Sequence, residues 1–155
     1  ERIWLDGTGS LPVSSLRGAD RTANLALSGA ELGDASAVFI GTLLGRNPFA
    51  RSLDLSRNRL GDSGMEALAS RIALGSSQLS SVNIACNLIG PVGAAAVTRL
   101  LRSIPTLTHL NLTGNIISND GMEAANPRAP VTVEASPIGA LADAASGHPV
   151  LTQLE

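Results

Sequence analysis

The chain has no Tyr and no Lys, and only one Trp, two Phe and one Cys in 155 residues. Each absence excludes something. Aromatic residues make up 2% of the sequence against an apolar total of 44%, so Leu, Ile, Val and Ala have to fill the interior. That composition suits thin stacked layers better than a core built around rings. A single cysteine, Cys86, cannot close an internal disulfide, which excludes a disulfide-stapled secreted domain. No apolar run approaches the ~20 residues that span a bilayer, and no signal-peptide pattern opens the chain. All 11 basic side chains are Arg, which a GC-rich coding sequence explains more simply than selection for bidentate contacts. A net charge of −2 gives no ground to expect nucleic acid or an anionic membrane as partner.

What is present is a repeat. Leu53-Asp-Leu55-Ser-Arg-Asn58-Arg-Leu60 recurs as Val82-Asn-Ile84-Ala-Cys-Asn87-Leu-Ile89 and as Leu110-Asn-Leu112-Thr-Gly-Asn115-Ile-Ile117, at offsets of 29 and 28 residues. An earlier copy starts at Leu25 with Ala30 in the Asn position, and Leu151-Thr-Gln-Leu154 matches Leu107-Thr-His-Leu110, so a further copy starts at Leu154. A period of this length means a solenoid, in which each unit buries its apolar edge against its neighbours. The interval from 110 to 154 is longer than one period, which places an insertion at about 126–136, a loop carrying Pro127 and Pro130 around Val131-Thr-Val133. Residues 1–22 lack the motif. They read as an N-terminal cap or degenerate repeat, with Ile3 and Leu5 as a strand and Leu11, Val13 and Leu16 covering the first unit. Residues 23–155 form the repeats. The chain opens at Glu1 and stops where another unit begins, so we expect a segment of a longer protein.

Within a unit the alternating pair, such as Leu53 and Leu55, predicts a short strand with two inward side chains. Asn58, Asn87 and Asn115 follow the strand as a column; a buried amide must be bonded on both sides, so we read them as a structural ladder. A helix follows, marked by Ile40 and Leu44, Leu68 and Ile72, Val97 and Leu101 on one face. Gly64, Gly93 and Gly121 share a column with Ser36, implying close approach of each helix start to the layer below. Asp34, Asp62 and Asn119 precede the helices as expected N-caps, and Pro91 takes their place in the third unit.

The stretch from Leu53 to Ile72 reads Leu-x-Leu-x-x-Asn-x-Leu-Gly-Asp-x-Gly-Met-x-x-Leu-x-x-x-Ile and resembles the leucine-rich repeat of ribonuclease-inhibitor type. The resemblance covers about residues 23–125 and resumes near 137. It implies an α/β solenoid: a right-handed horseshoe with parallel strands on the concave face and helices on the convex face. Members of this class are mostly intracellular protein-binding scaffolds, among them activators of the Ran GTPase and innate-immune receptors.

Chemistry is sparse. His109 and His148 fall in different columns and read as surface turn residues; no Cys/His cluster has zinc spacing; Gly7-Thr-Gly9-Ser10 lacks a phosphate-loop Lys. Cys86 has Arg57 and Gly114 as column neighbours and no base, so it reads as an inert small residue. Asn111-Leu-Thr113 fits the glycosylation pattern, but it sits in a predicted strand where a glycan would block the groove. We therefore expect no catalytic, cofactor-binding or metal residues. The candidate partner-binding residues are those facing outward from the strands: Asp54, Ser56, Arg57, Asn83, Asn111 and Thr113, with Trp4 read as a cap. The expected function is a non-enzymatic protein–protein interaction scaffold in the cytoplasm, with organelle and axoneme left open. Two alternatives stand beside it: a GTPase-activating protein resembling the Ran activators, with Arg57 or Arg59 as first suspects, and a structural spacer in a longer solenoid.

Overall fold

The computed structural model describes residues 2–4, 10–75, 77–117 and 137–155. Strands β1 (Arg2–Trp4) and β2 (Ser10–Pro12) pair antiparallel and lead into the short helix α1 (Val13–Arg17). The repeats then alternate strand and helix: β3 (Asn24–Ala26), α2 (Asp34–Leu44), β4 (Ser52–Asp54), α3 (Asp62–Ala73), β5 (Ser81–Asn83), α4 (Pro91–Ser103) and β6 (His109–Asn111). Helix α5 (Pro137–Ser146) and strand β7 (Gln153–Leu154) follow. The five repeat strands form one parallel sheet in the order β3-β4-β5-β6-β7.

Strand register follows the repeat, with Leu25, Leu53, Val82, Leu110 and Leu154 side by side. The repeat strands are two or three residues long, and the second inward residue of each pair, such as Leu55 or Ile84, lies just past the strand while its amide still bonds to the next unit. The core is one continuous aliphatic cluster between the sheet and the helices, holding Leu53, Leu55, Leu60, Leu68 and Ile72, each 1% exposed or less, together with their counterparts. Burying each such side chain contributes roughly 1.5–3 kcal/mol, which replaces the payload that aromatic rings carry elsewhere. At the N-terminal end, Leu11, Val13 and Leu16 are buried and Leu11 and Leu16 join that cluster, closing the first layer. Leu5, the side chain of Trp4, Asn119, Gly121 and the insertion at 126–136 lie outside the described residues.

The Asn column reaches backwards by one unit each time. Asn58 donates from Nδ2 to the carbonyls of Leu27, Leu55 and Ser56 and accepts from the Leu32 amide through Oδ1. Asn87 repeats this with Leu55, Ile84, Ala85 and the Leu60 amide, and Asn115 with Ile84, Leu112 and the Ile89 amide. These groups are left open where the chain leaves the sheet, and unsatisfied they cost about 1–3 kcal/mol each.

One expectation is corrected here. Asp34 and Asp62 do not cap their own helices, whose N-caps are Gly33 and Gly61 with no side-chain bond. They are the first helical residues and reach forward instead. Asp34 Oδ1 accepts from the Gly61 amide at 2.8 Å, while Asp62 Oδ1 accepts from Gly90 and from Gly93, the latter at 2.9 Å. The carboxylate therefore satisfies the open amides of the next helix and sits at its positive end. This also explains the glycine column: a Cβ on Gly64 would lie 2.3 Å from Asp34 Oδ1, and one on Gly93 2.5 Å from Asp62 Oδ1.

Candidate protein-binding surface

The open face of the sheet carries the outward residues of each strand. Asp54, Asn83 and Asn111 stand side by side, half-buried, in one column. Their acceptors are already engaged: Asp54 Oδ1 takes the Ser56 amide, Asn83 Oδ1 the Ala85 amide, and Asn111 Oδ1 both the amide and the hydroxyl of Thr113. Each side chain thus folds back on its own turn two residues on, the local bonding that Asn and Asp favour. Asn111 also donates to the Glu155 carboxylate at 2.8 Å. Of the six residues predicted to contact a partner, five are accessible. Ser56 is 8% exposed and exchanges a hydrogen bond with Ser28 at 2.9 Å, so it offers a partner little.

Arg57 and Cys86 share an exposed column with Gly29 and Gly114, and all four adopt left-handed backbone, with φ of 56° at Arg57 and 54° at Cys86. Two of the four are glycine, the residue that takes this conformation without cost. Arg57 and Cys86 hold it at a penalty of roughly 1 kcal/mol. Arg59 lies 3.6 Å from the Glu31 carboxylate, while the equivalent Leu88 and Ile116 stand exposed. A depression of about 200 Å³ lies over β5, β6 and β7, lined by Asn83, His109, Asn111, Gln153 and Glu155 among others. It is shallow and polar. Among the described residues no group of His, Cys, Asp and Glu side chains is placed to hold a metal ion.

The histidines separate. His109 begins β6, is exposed, and shares a hydrogen bond between Nδ1 and the Thr108 hydroxyl at 2.7 Å. His148 departs from its reading as a surface turn residue: it is half-buried, with Nε2 2.9 Å from the Ile104 carbonyl at the end of α4. Its column partner is Asn47, 1% exposed, which donates to the Ser15 and Leu16 carbonyls at the end of α1 and accepts from the Phe49 and Ala50 amides. The shared signal in the sequence is a polar residue followed by Pro, as Asn47-Pro48 and His148-Pro149. Perturbed carboxylates occur only as local pairs among the described residues. Hydrogen bonds from Arg99 and then Ser70 hold Glu66 below its ordinary pKa, and the Ser15 hydroxyl, then Thr22, do the same for Asp20.

Comparison with known proteins agrees with this architecture. The family model described as "Leucine Rich repeat" matches residues 47–69 and 103–124. The chain is 30% identical over 99 residues to RAN GTPase-activating protein 2 of Arabidopsis thaliana, and 29% identical over 100 residues to NACHT, LRR and PYD domains-containing protein 4C of Mus musculus. Each match takes in 64% of this chain, but only 18% of the plant protein and 10% of the mouse protein. Among solved structures, the leiomodin-1 actin-binding site 2 superposes with a TM-score of 0.70 at 18% identity, covering 92% of this chain and 75% of that one. Repeat period, parallel sheet, inward Asn column and these matches identify a leucine-rich-repeat segment of the ribonuclease-inhibitor-like type in this chain.

Proposed function

We propose that this chain is a non-enzymatic scaffold that positions a partner protein on the open face of its sheet, as one segment of a larger protein. Leucine-rich-repeat domains are typically protein-interaction modules, and that general role carries over with the fold. The observation that carries the finer reading is the column Asp54, Asn83 and Asn111, whose side chains are tied to their own turns and spaced by the strand separation of a parallel sheet. Side chains fixed in this way lose little entropy when a partner docks. Arg57 and Thr113 extend the surface at its margin. No helix among the described residues is long and apolar enough to cross a membrane. The exposed free thiol of Cys86 suits a reducing compartment, and we place the protein in the cytoplasm.

Cross-linking mass spectrometry tests the scaffold on full-length protein from native lysate, with carboxylate-directed reagents because the chain has no Lys. Reproducible links from Asp54 to one partner are expected. Links confined to the chain itself would leave a spacer role within a longer solenoid.

Similarity to a RAN GTPase-activating protein favours a second reading, in which Arg57 or Arg59 orders the active site of a GTPase. Arg57 is the better placed of the two, since Arg59 is drawn to Glu31. Single-turnover GTP hydrolysis by Ran with the chain in excess tests it, and an unchanged rate removes it.

A further inference from the structure

The edge where helices return to strands is basic. Arg17, Arg21, Arg46, Arg51, Arg71 and Arg102 all lie in the last turn of a helix or in the segment leading to the next strand, and all are exposed. The acids described on that edge are Asp20 and Asp143, and Asp20 is bonded to Ser15 and Thr22. At the other edge stand Glu31, Asp34 and Asp62. Arginines at helix C-termini complement the macrodipole, which accounts for the polarity of the arrangement. It does not account for what happens between α2 and α3.

There, two adjoining hollows of about 140 and 310 Å³ open between the helix ends, sharing Gly45, Arg46, Leu74 and Gly75 as lining. Arg71 closes one and Pro48 the other. The floor is backbone: a Cβ on Gly75 would lie 1.8 Å from the Gly45 carbonyl oxygen, and a Cβ on Gly45 2.8 Å from that of Arg71. Arg51 donates to the Pro48 and Ala50 carbonyls, and Arg21 lies 5.6 Å over the Phe49 ring, so both are engaged. Arg46 and Arg71 form no ion pair among the described residues. Leu74, which lines both hollows, is 84% exposed, the most exposed large apolar side chain described.

We propose that this cleft docks a short acidic segment of a partner protein, its carboxylates on Arg46 and Arg71 and an apolar side chain against Leu74 and Pro48. Two guanidiniums with no acid in the lining make the surface complementary to carboxylates, to which each fork can donate in bidentate fashion. An inorganic anion fits less well. Helix C-termini present carbonyls rather than amides, so any anion there is held by the arginines alone, and only one that carries an apolar group also uses the apolar rim. The site lies apart from the open sheet face, and the inference stands whether or not that face binds a partner.

The test is fluorescence anisotropy on the chain with a labelled peptide of repeating Glu-Asp-Leu, beside the same peptide with Gly for Leu, a labelled single-stranded oligonucleotide, and inorganic phosphate as competitor. The acidic peptide is expected to bind and to weaken with salt, and R46Q/R71Q to lose about tenfold or more in affinity. Leu74→Ser and the Gly-substituted peptide are each expected to lose roughly threefold, as one apolar contact implies. Thermal melting checks that the variants remain folded. Absence of peptide binding overturns the proposal, as does binding that the double Arg variant leaves unchanged. An oligonucleotide that binds as tightly, or displacement by millimolar phosphate, would show a general anion surface in place of a peptide site.

Discussion

The two edges of this solenoid are held together differently. Where strands pass into helices, buried or half-buried side chains stitch each unit to the next: Asn58, Asn87 and Asn115 reach back, and Asp34 and Asp62 reach forward. Where helices return to strands, Asn47 and His148 bond carbonyls at the end of the helix one layer back, and most other links are hydroxyls that double existing backbone bonds. Ser80 donates to the Arg51 carbonyl, Thr108 to Ser80 and Thr152 to Thr108, each carbonyl also taking the amide of the same residue. The ends of α2 and α3 also meet there through the backbone of Gly45 and Gly75, and the second unit carries one residue more than the others with a described period. Across β3–α2, β4–α3 and β5–α4 the spacing at the first edge is constant, because a displaced Asn amide would strand several backbone groups in the interior. The second has redundant bonds and solvent nearby, so it absorbs an extra residue and leaves arginines uncommitted.

Substitutions sort along this difference. Asn87→Ala removes the partner of three carbonyls and one amide, all buried, and is expected to destabilise the chain by about 3 kcal/mol or more in urea unfolding. An effect under roughly 1 kcal/mol would mean that water replaces the amide and that the ladder is not what sets the spacing. Asp62→Ala frees the Gly90 and Gly93 amides at the start of α4 and is expected to cost about 1 kcal/mol, the scale of a lost cap. Amide exchange should rise first at those two residues; uniform loss of protection would mean that the carboxylate acts on the whole fold. On the other edge, Arg71→Gln and Leu74→Ser are each expected to stay within about 0.5 kcal/mol of the parent, as exposed substitutions do. A larger loss would show that the arginine edge is structural after all and abolish the contrast.

The repeat made much of this legible in advance. Strand positions, helix faces and the inward Asn column follow from apolar spacing, because a solenoid copies one local solution and each copy reinforces the reading of the last. The direction of the Asp contacts was not legible. An Asp just ahead of a helical pattern looks like that helix's own cap, and only the stacking brings Asp62 under Gly90 and Gly93. Asn47 and His148 were missed as a pair because they are different residue types separated by 101 positions, with an irregular interval between. At the open face the outward position of the column could be read from the sequence, but not its state. Ser56 looks equivalent to Thr113 along the chain, and its burial against Ser28 depends on how closely neighbouring turns approach.

The backward reach of the Asn residues has a consequence for how such a chain is made. The carbonyls of Leu27 and Leu55 and the amides of Leu32 and Leu60 are completed by side chains that belong to the following unit. On a ribosome, which delivers the N-terminal end first, a freshly emerged unit has its apolar residues but not yet its last hydrogen bonds. It must wait for a further period of synthesis before its turn can lock. The growing end is therefore always the loosest part of the molecule, and order is conferred on each repeat by the arrival of its successor.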